Sequence, residues 1–114
     1  MKLKLGFLLI FGGYIYGDTS YQSCLDNSPQ MGCIIKELKY QDGLLNRYYK
    51  QAMQRLDKSE QTRLRKAQRA WMKYRDSKCD AQANEVRGGS LEGILRGGCI
   101  VDMTTKRAEE LRVY

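Results

Sequence analysis

Histidine is absent from this sequence of 114 residues, and proline occurs only once. Without histidine the chain lacks the usual general base near neutral pH and the Ser-His and Cys-His pairs of many nucleophilic enzymes. A histidine-ligated zinc site is excluded for the same reason. The length allows one small domain and excludes a TIM barrel, a two-domain enzyme or a repeat array. We therefore expect no catalytic residues, no metal site and no cofactor.

Long hydrophobic runs are absent as well, apart from a short one near the start. Two lysines precede an apolar run over residues 5–11, and the chain turns polar after Gly17. This layout is typical of a secretory signal peptide, and the run is too short for an ordinary transmembrane helix. An uncleaved membrane anchor is the alternative. We expect a signal peptide over residues 1–17 and one periplasmic or secreted domain over residues 18–114, with no stable membrane insertion after cleavage.

Acidic residues are fewer than basic ones. The whole chain has 20 Lys+Arg against 13 Asp+Glu, and residues 18–114 retain 18 basic and 13 acidic residues. This surplus favours an anionic partner, such as an anionic envelope polymer or lipid headgroups. Export argues against nucleic acid, and a solvated helix face is the simplest interpretation of the clustered bases. Those bases lie on the outer face of the second predicted helix: Arg63, Arg65, Lys66, Arg69 and Lys73.

The chain has four cysteines, which an oxidising compartment would convert into disulfides. No two of them have the C-x-x-C spacing of thioredoxin-like redox sites or zinc ribbons. Three pairings are possible. We favour the sequential pairing, Cys24–Cys33 and Cys79–Cys99, because each of its disulfides closes a short loop.

Apolar residues recur at helical spacing over most of the remaining chain. Ser28 and Pro29 are typical of an N-cap and a first helical residue, and the first helix extends to about Leu56. Either Asp57 or Ser59 can cap a second helix, which runs to about residue 86.

A glycine-rich stretch follows the second helix. It contains a short helical turn over residues 91–95, and a last helix covers about residues 99–111. No alternating pattern indicates a strand. We predict an all-α fold: a small antiparallel helical bundle of three main helices plus a short helical turn, stapled by two disulfides.

Five polar residues fall on or beside the apolar stripes of these helices. A partly buried carboxylate needs a partner, and arginine offers a bidentate one, so we expect Asp42 to pair with Arg75 or Arg107. The network is interpreted mainly as structural, with a binding pocket as the alternative. Its members are Asp42, Asn46, Gln68, Arg75 and Arg107.

Aromatic residues near the middle of the second helix are the other candidates. Core packing is the default interpretation of Trp71 and Tyr74, and a ligand platform is the alternative. Exposed aromatics beside arginines also suit a protein interface. The candidate interface residues are Trp71, Tyr74, Arg87, Gly88, Gly89 and Ser90.

A specific motif runs through these helices. It comprises Asp42-x-x-Leu45-Asn46-x-x-Tyr49, then Ala67-Gln68-Arg69-Ala70-Trp71 with Tyr74-Arg75-Asp76 and Cys79, and finally Thr104-x-x-Arg107. Over about residues 24–111 the chain resembles the domain of the LprI-type lysozyme inhibitors, although it lacks the cysteine found at the signal cleavage point of lipoprotein members.

The resemblance implies an exported, non-enzymatic helical domain with paired cysteines that binds and inhibits a lysozyme or another peptidoglycan hydrolase. The alternative is an envelope structural or adaptor module that binds peptidoglycan, another anionic polymer or a partner protein. Animal lysozymes are typically basic, so the surplus of basic residues opposes long-range attraction. A local acidic patch at Asp76, Asp80 and Glu85, or insertion of the loop over residues 87–98, would overcome this.

Overall fold

The computed structural model of the protein describes residues 18–27 and 29–114. The predicted signal peptide and the predicted N-cap residue Ser28 lie outside the described residues. The described part of the chain is all-α, as predicted, and contains no strand. Its helices are α1 Asp18–Asn27, α2 Gln30–Gln54, α3 Lys58–Ala83, a 3₁₀ turn Asn84–Val86 and α4 Ser90–Arg112. None of these helices is long and apolar enough to cross a bilayer.

Two features of this helix set differ from the prediction. α1 was not predicted, and the expected short turn over residues 91–95 is continuous with the last helix. The glycines of this stretch do not break α4, because an interior glycine costs a helix only about 1 kcal/mol relative to alanine. Packing against α2 offsets that cost: Gly97 lies so close to Ile34 that a Cβ atom would stand 2.6 Å from Ile34 Cγ2.

The starts of α2 and α3 are defined by different devices. Pro29 precedes α2 instead of occupying its first turn, and its carbonyl accepts a hydrogen bond from the Gly32 N–H at 3.1 Å. At α3 the predicted cap is Asp57, whose Oδ1 accepts from the Glu60 N–H at 2.8 Å. The Glu60 side chain accepts from the Asp57 N–H at 3.1 Å. This reciprocal capping box fixes the turn between the two long helices.

The directions of the helices follow from the residues that meet. Gly93 faces Met31 and Gly97 faces Ile34, so α4 runs in the same direction as α2. α3 runs in the opposite direction to α4. Arg75 bonds to Thr104 and Cys79 to Cys99, so the residue numbers of α4 decrease along the contact as those of α3 increase.

The main contacts of the fold are those of α4 with α2 and then with α3. Few direct contacts join α2 to α3. The predicted packing of the two long helices along one another is therefore not confirmed. The reason is that α4 covers the apolar face of α2. This contact begins where the glycines of α4 approach α2 closely.

The hydrophobic core lies where α2, α3 and the end of α4 meet. Its buried members come from all three helices: Leu45, Ala52, Leu64, Ala108 and Leu111. Half-buried residues surround this group: Leu44, Tyr48, Tyr49, Met53, Leu56 and Trp71. Because the core is small, covalent links supplement it.

Both predicted disulfides are confirmed. Cys24–Cys33 joins α1 to α2 with a Cα–Cα distance of 5.8 Å, and Cys79–Cys99 joins α3 to α4 at 5.5 Å. Each bond joins one buried cysteine, Cys33 or Cys79, to a half-buried one. Each crosslink therefore ties a neighbouring pair of helices.

Candidate functional site

Polar side chains bridge α3 and α4 beside the core. Arg107 of α4 donates from Nε to Oε1 of Gln68 on α3 at 2.9 Å, and its Nη1 pairs with Glu110 at 3.0 Å. Gln68 is buried and Arg107 is only 15% exposed, so this bond is largely shielded from solvent. The structure thus brings together Gln68 and Arg107, two members of the expected polar network.

Arg75 forms a second bridge between the same helices. Its Nη1 donates to Thr104 Oγ1 at 3.2 Å, and its Nε pairs with the neighbouring Asp76 at 2.9 Å. Thr104 is fully buried, which makes its hydroxyl a costly group to leave unpaired. The expected polar network did not include Thr104, although its place on the inner stripe of the last helix was a signal for it.

The indole of Trp71 contacts the arginines of both bridges. The guanidinium Cζ atoms of Arg75 and Arg107 stand 5.2 Å and 5.9 Å from its ring centroid, within the range of cation–π contacts. Trp71 also packs against the core. A half-buried tryptophan with two arginines supports the structural interpretation of this cluster, which we name the Trp71 cluster: Gln68, Trp71, Arg75, Thr104 and Arg107.

Asp42 and Asn46 do not join this cluster. Both side chains are exposed, and Asp42 forms no salt bridge with any residue that the structure describes. The expected pairing of Asp42 with Arg75 or Arg107 is wrong. The guanidinium groups of Arg75 and Arg107 pair with Asp76 and Glu110 instead. Each of these acids is close in sequence to its arginine and lies on the same helix.

A second ionic group holds the connection between α3 and α4. Arg96 pairs with Asp80 at 2.7 Å and with Glu92 at 2.9 Å. Glu92 also accepts from the Gly88 N–H at 2.8 Å. This backbone hydrogen bond, together with Arg96, lowers the pKa of the Glu92 carboxyl below its usual value.

The predicted interface residues occupy two different environments. Tyr74 is 59% exposed, whereas Trp71 is half-buried. Arg87, Gly88, Gly89 and Ser90 are exposed; Gly88 has a φ of +94°, and Gly89 precedes the first turn of α4. The expected loop over residues 87–98 is therefore only a short turn, because α4 begins at Ser90.

Exposed acidic side chains occur at the end of α3 and in the 3₁₀ turn that follows it, where Lys78 is exposed as well. Asp76, Asp80 and Glu85 are all exposed, although the first two pair with Arg75 and Arg96. Asp76 and Asp80 are four residues apart and so lie on one side of the helix.

A third group of ionisable residues involves α1. Burial raises the pKa of Tyr21, and the charges of Asp102 and Glu37 raise it further. Desolvation likewise raises the pKa of Asp102. Within residues 18–27 and 29–114, no three histidine, cysteine or acidic side chains come together as metal ligands.

Comparison with known proteins shows the family of the chain. A family profile described as "Lysozyme inhibitor LprI" matches residues 22–111, so the chain belongs to the LprI lysozyme inhibitor family. The chain is similar to an uncharacterized protein of Rhizobium meliloti (strain 1021), with 38% identity over 93 residues that cover 70% of this chain and 67% of the relative. No solved structure shows a significant match.

Proposed function

We propose that this protein is an exported, non-enzymatic binding protein that inhibits a lysozyme or a related peptidoglycan-cleaving enzyme. The observation that carries the proposal is the family match over residues 22–111, which spans both disulfides and the Trp71 cluster. Disulfides persist in oxidising compartments, which supports a periplasmic or secreted location for residues 18–114; in this proposal residues 1–17 are the cleaved signal peptide.

The charge distribution favours one end of α3 as the inhibitory surface. Asp76 and Asp80 are exposed there, Glu85 is exposed in the 3₁₀ turn that follows, and the short turn over residues 87–89 leads into α4. A basic enzyme would be attracted to this acidic end, whereas the earlier part of α3 would repel it. The Trp71 cluster holds α3 against α4 and so fixes the position of this surface.

A lysis assay tests the proposal. Purified, oxidised residues 18–114 are added to a cell-wall suspension with a basic animal lysozyme, and clearing of turbidity is followed with time. Slower clearing and a complex in size-exclusion chromatography are expected. The absence of both at micromolar protein would contradict the proposal.

A charge-reversal pair locates the surface. Glu85→Lys is expected to weaken inhibition, because it replaces attraction to the basic enzyme by repulsion. Asp42→Lys is the matched control, since Asp42 is an exposed acid on α2. Equal inhibition by the two variants would place the contact elsewhere on the domain.

A further inference from the structure

The positive charge of the chain is concentrated in one stretch of α3. Residues 61–75 contain six basic residues and no acidic one. The rest of residues 18–114 contains 12 basic and 13 acidic residues, and therefore has almost no net charge. The surplus that characterises the domain is thus a local feature of one helix.

Four of these six basic side chains are free to meet a partner. Arg75 belongs to the Trp71 cluster, and Arg65 is half-buried. The other four are exposed, and none forms a salt bridge with another residue in the described ranges. We name them the α3 basic face: Arg63, Lys66, Arg69 and Lys73.

The spacing of the α3 basic face aligns its charges along the helix. Intervals of three and four residues place side chains on the same side, and here that side is opposite the buried residues Leu64, Gln68 and Cys79. At a rise of about 1.5 Å per residue, the row extends for roughly 15 Å. Among the residues that the structure describes, the side chain of Arg63 bonds only to the neutral Ser59 hydroxyl, at 2.9 Å, and meets no compensating carboxylate.

We propose that the α3 basic face is a binding site for a linear polyanion, a polymer with closely spaced phosphate or carboxylate groups. A row of uncompensated cations matches such a charge pattern, and binding is driven by release of the counterions condensed on the polymer. This partner differs from a basic enzyme, and the site therefore acts independently of inhibition. It attaches the domain to anionic material while the acidic end of α3 stays accessible.

A bilayer surface suits the face less well. Helices that lie in a membrane interface bury large apolar residues beside their basic ones. The residues interleaved on this side of α3 include the small, exposed Thr62 and Ala70, and the large exposed side chain of Tyr74 lies beside the row, near its end. The attraction is therefore mainly electrostatic and is best satisfied by a flexible polymer that follows the row.

Fluorescence anisotropy with fluorescein-labelled polyphosphate tests the site on oxidised residues 18–114. The variant neutralises the α3 basic face, and the control neutralises four exposed bases of α2, which gives the same net charge. The variant is R63Q/K66Q/R69Q/K73Q, and the control is K36Q/K39Q/R47Q/K50Q.

The two variants are expected to differ clearly. The control should bind like the unmodified protein, whereas the variant should bind about 100-fold more weakly at low salt. The slope of log affinity against log salt concentration should be smaller in magnitude by about 3 for the variant, because each of the four lost phosphate contacts removes roughly 0.7 from the slope. Circular dichroism checks that all proteins are helical, and K66Q/K73Q should give an intermediate loss.

Three outcomes would overturn the proposal. The first is the absence of binding to polyphosphate by the unmodified protein. The second is an equal loss in the α2 control, which would attribute binding to net charge alone. The third is tighter binding to phosphatidylglycerol vesicles than to polyphosphate, which would identify a bilayer as the partner. Lysozyme inhibition by the variant is expected to persist, so the two proposals fail or stand separately.

Discussion

Arg107 of α4 donates a hydrogen bond from Nε to Oε1 of Gln68 on α3 at a distance of 2.9 Å. Both side chains are largely shielded from solvent, and Arg107 also lies over the ring of Trp71. This bond links two residues of the family motif across α3 and α4. It holds the helix that carries both charged surfaces against the rest of the domain.

Gln68→Ala is expected to lower the free energy of unfolding by about 1–3 kcal/mol, because Arg107 Nε loses its acceptor in a shielded position. Urea denaturation followed by circular dichroism measures the change. Gln82→Ala, at an exposed position of the same helix, is the control and should stay within about 0.5 kcal/mol of the unmodified protein. Equal effects of the two substitutions would mean that the bond contributes nothing.

Two neighbouring glycines of α4 should respond in opposite ways to alanine. Gly97→Ala would place a Cβ atom 2.6 Å from Ile34 Cγ2, and forced repacking of this kind costs about 1–3 kcal/mol. Gly98→Ala meets no atom within 4 Å and should stabilise the helix by about 0.5–1 kcal/mol. Thermal unfolding distinguishes them, and equal melting temperatures would contradict the parallel packing of α4 on α2.

The two disulfides are expected to stabilise different parts of the domain. Replacing Cys79 and Cys99 by serine should cost about 3 kcal/mol, because the bond closes a loop that spans the α3–α4 connection. Replacing Cys24 and Cys33 should mainly release α1, whose principal contact is α2. Amide hydrogen exchange in this variant should then increase over residues 20–27 and change little in α4. Similar exchange in α1 with and without this bond would show that packing alone holds the helix.

The stability of the domain should depend on pH through Asp102. Desolvation raises the pKa of Asp102, while Lys106 partly opposes the shift. The folded state therefore holds the proton more tightly than the unfolded chain, and this contribution to stability is lost as pH rises through the raised pKa.

Asp102→Asn is therefore expected to raise the melting temperature at pH 7. The gain should disappear near pH 3, below the ordinary pKa of about 3.9, where Asp102 itself is protonated in both states. Asp42→Asn, at an exposed position, serves as the control. A gain of the same size at both pH values would attribute the effect to hydrogen bonding or packing and not to ionisation.

Much of the local structure could be predicted from sequence because its causes are local. The capping box of α3 needs only Asp57 and Glu60 three residues apart, and this signal was read correctly up to the choice of Asp57 or Ser59. Both disulfides were also predicted, since short loops favoured the pairing that the structure shows. The family motif also indicates the family from sequence alone, because its residues are close neighbours along single helices.

The errors concern relations between helices. Asp42 occupies a helical position that periodicity assigns to the inner stripe, yet it is exposed because α3 does not pack along α2 at that level. Arg75 and Arg107 were correctly placed inward, but their carboxylate partners are Asp76 and Glu110. Periodicity defines a face of one helix and contains no information on which neighbour covers it.

The sequence by itself determined that the domain is helical and that its surplus of positive charge lies within residues 61–75, and it favoured the start of α3 at Asp57 or Ser59 and the pairing of its cysteines in order. Only the tertiary structure decided between the possible caps and pairings, and it alone showed that α4 is continuous and packs on α2 through Gly97 and that Trp71 contacts two arginines. Caps and charge runs depend on neighbours in the chain, whereas helix packing depends on which apolar faces exclude water together.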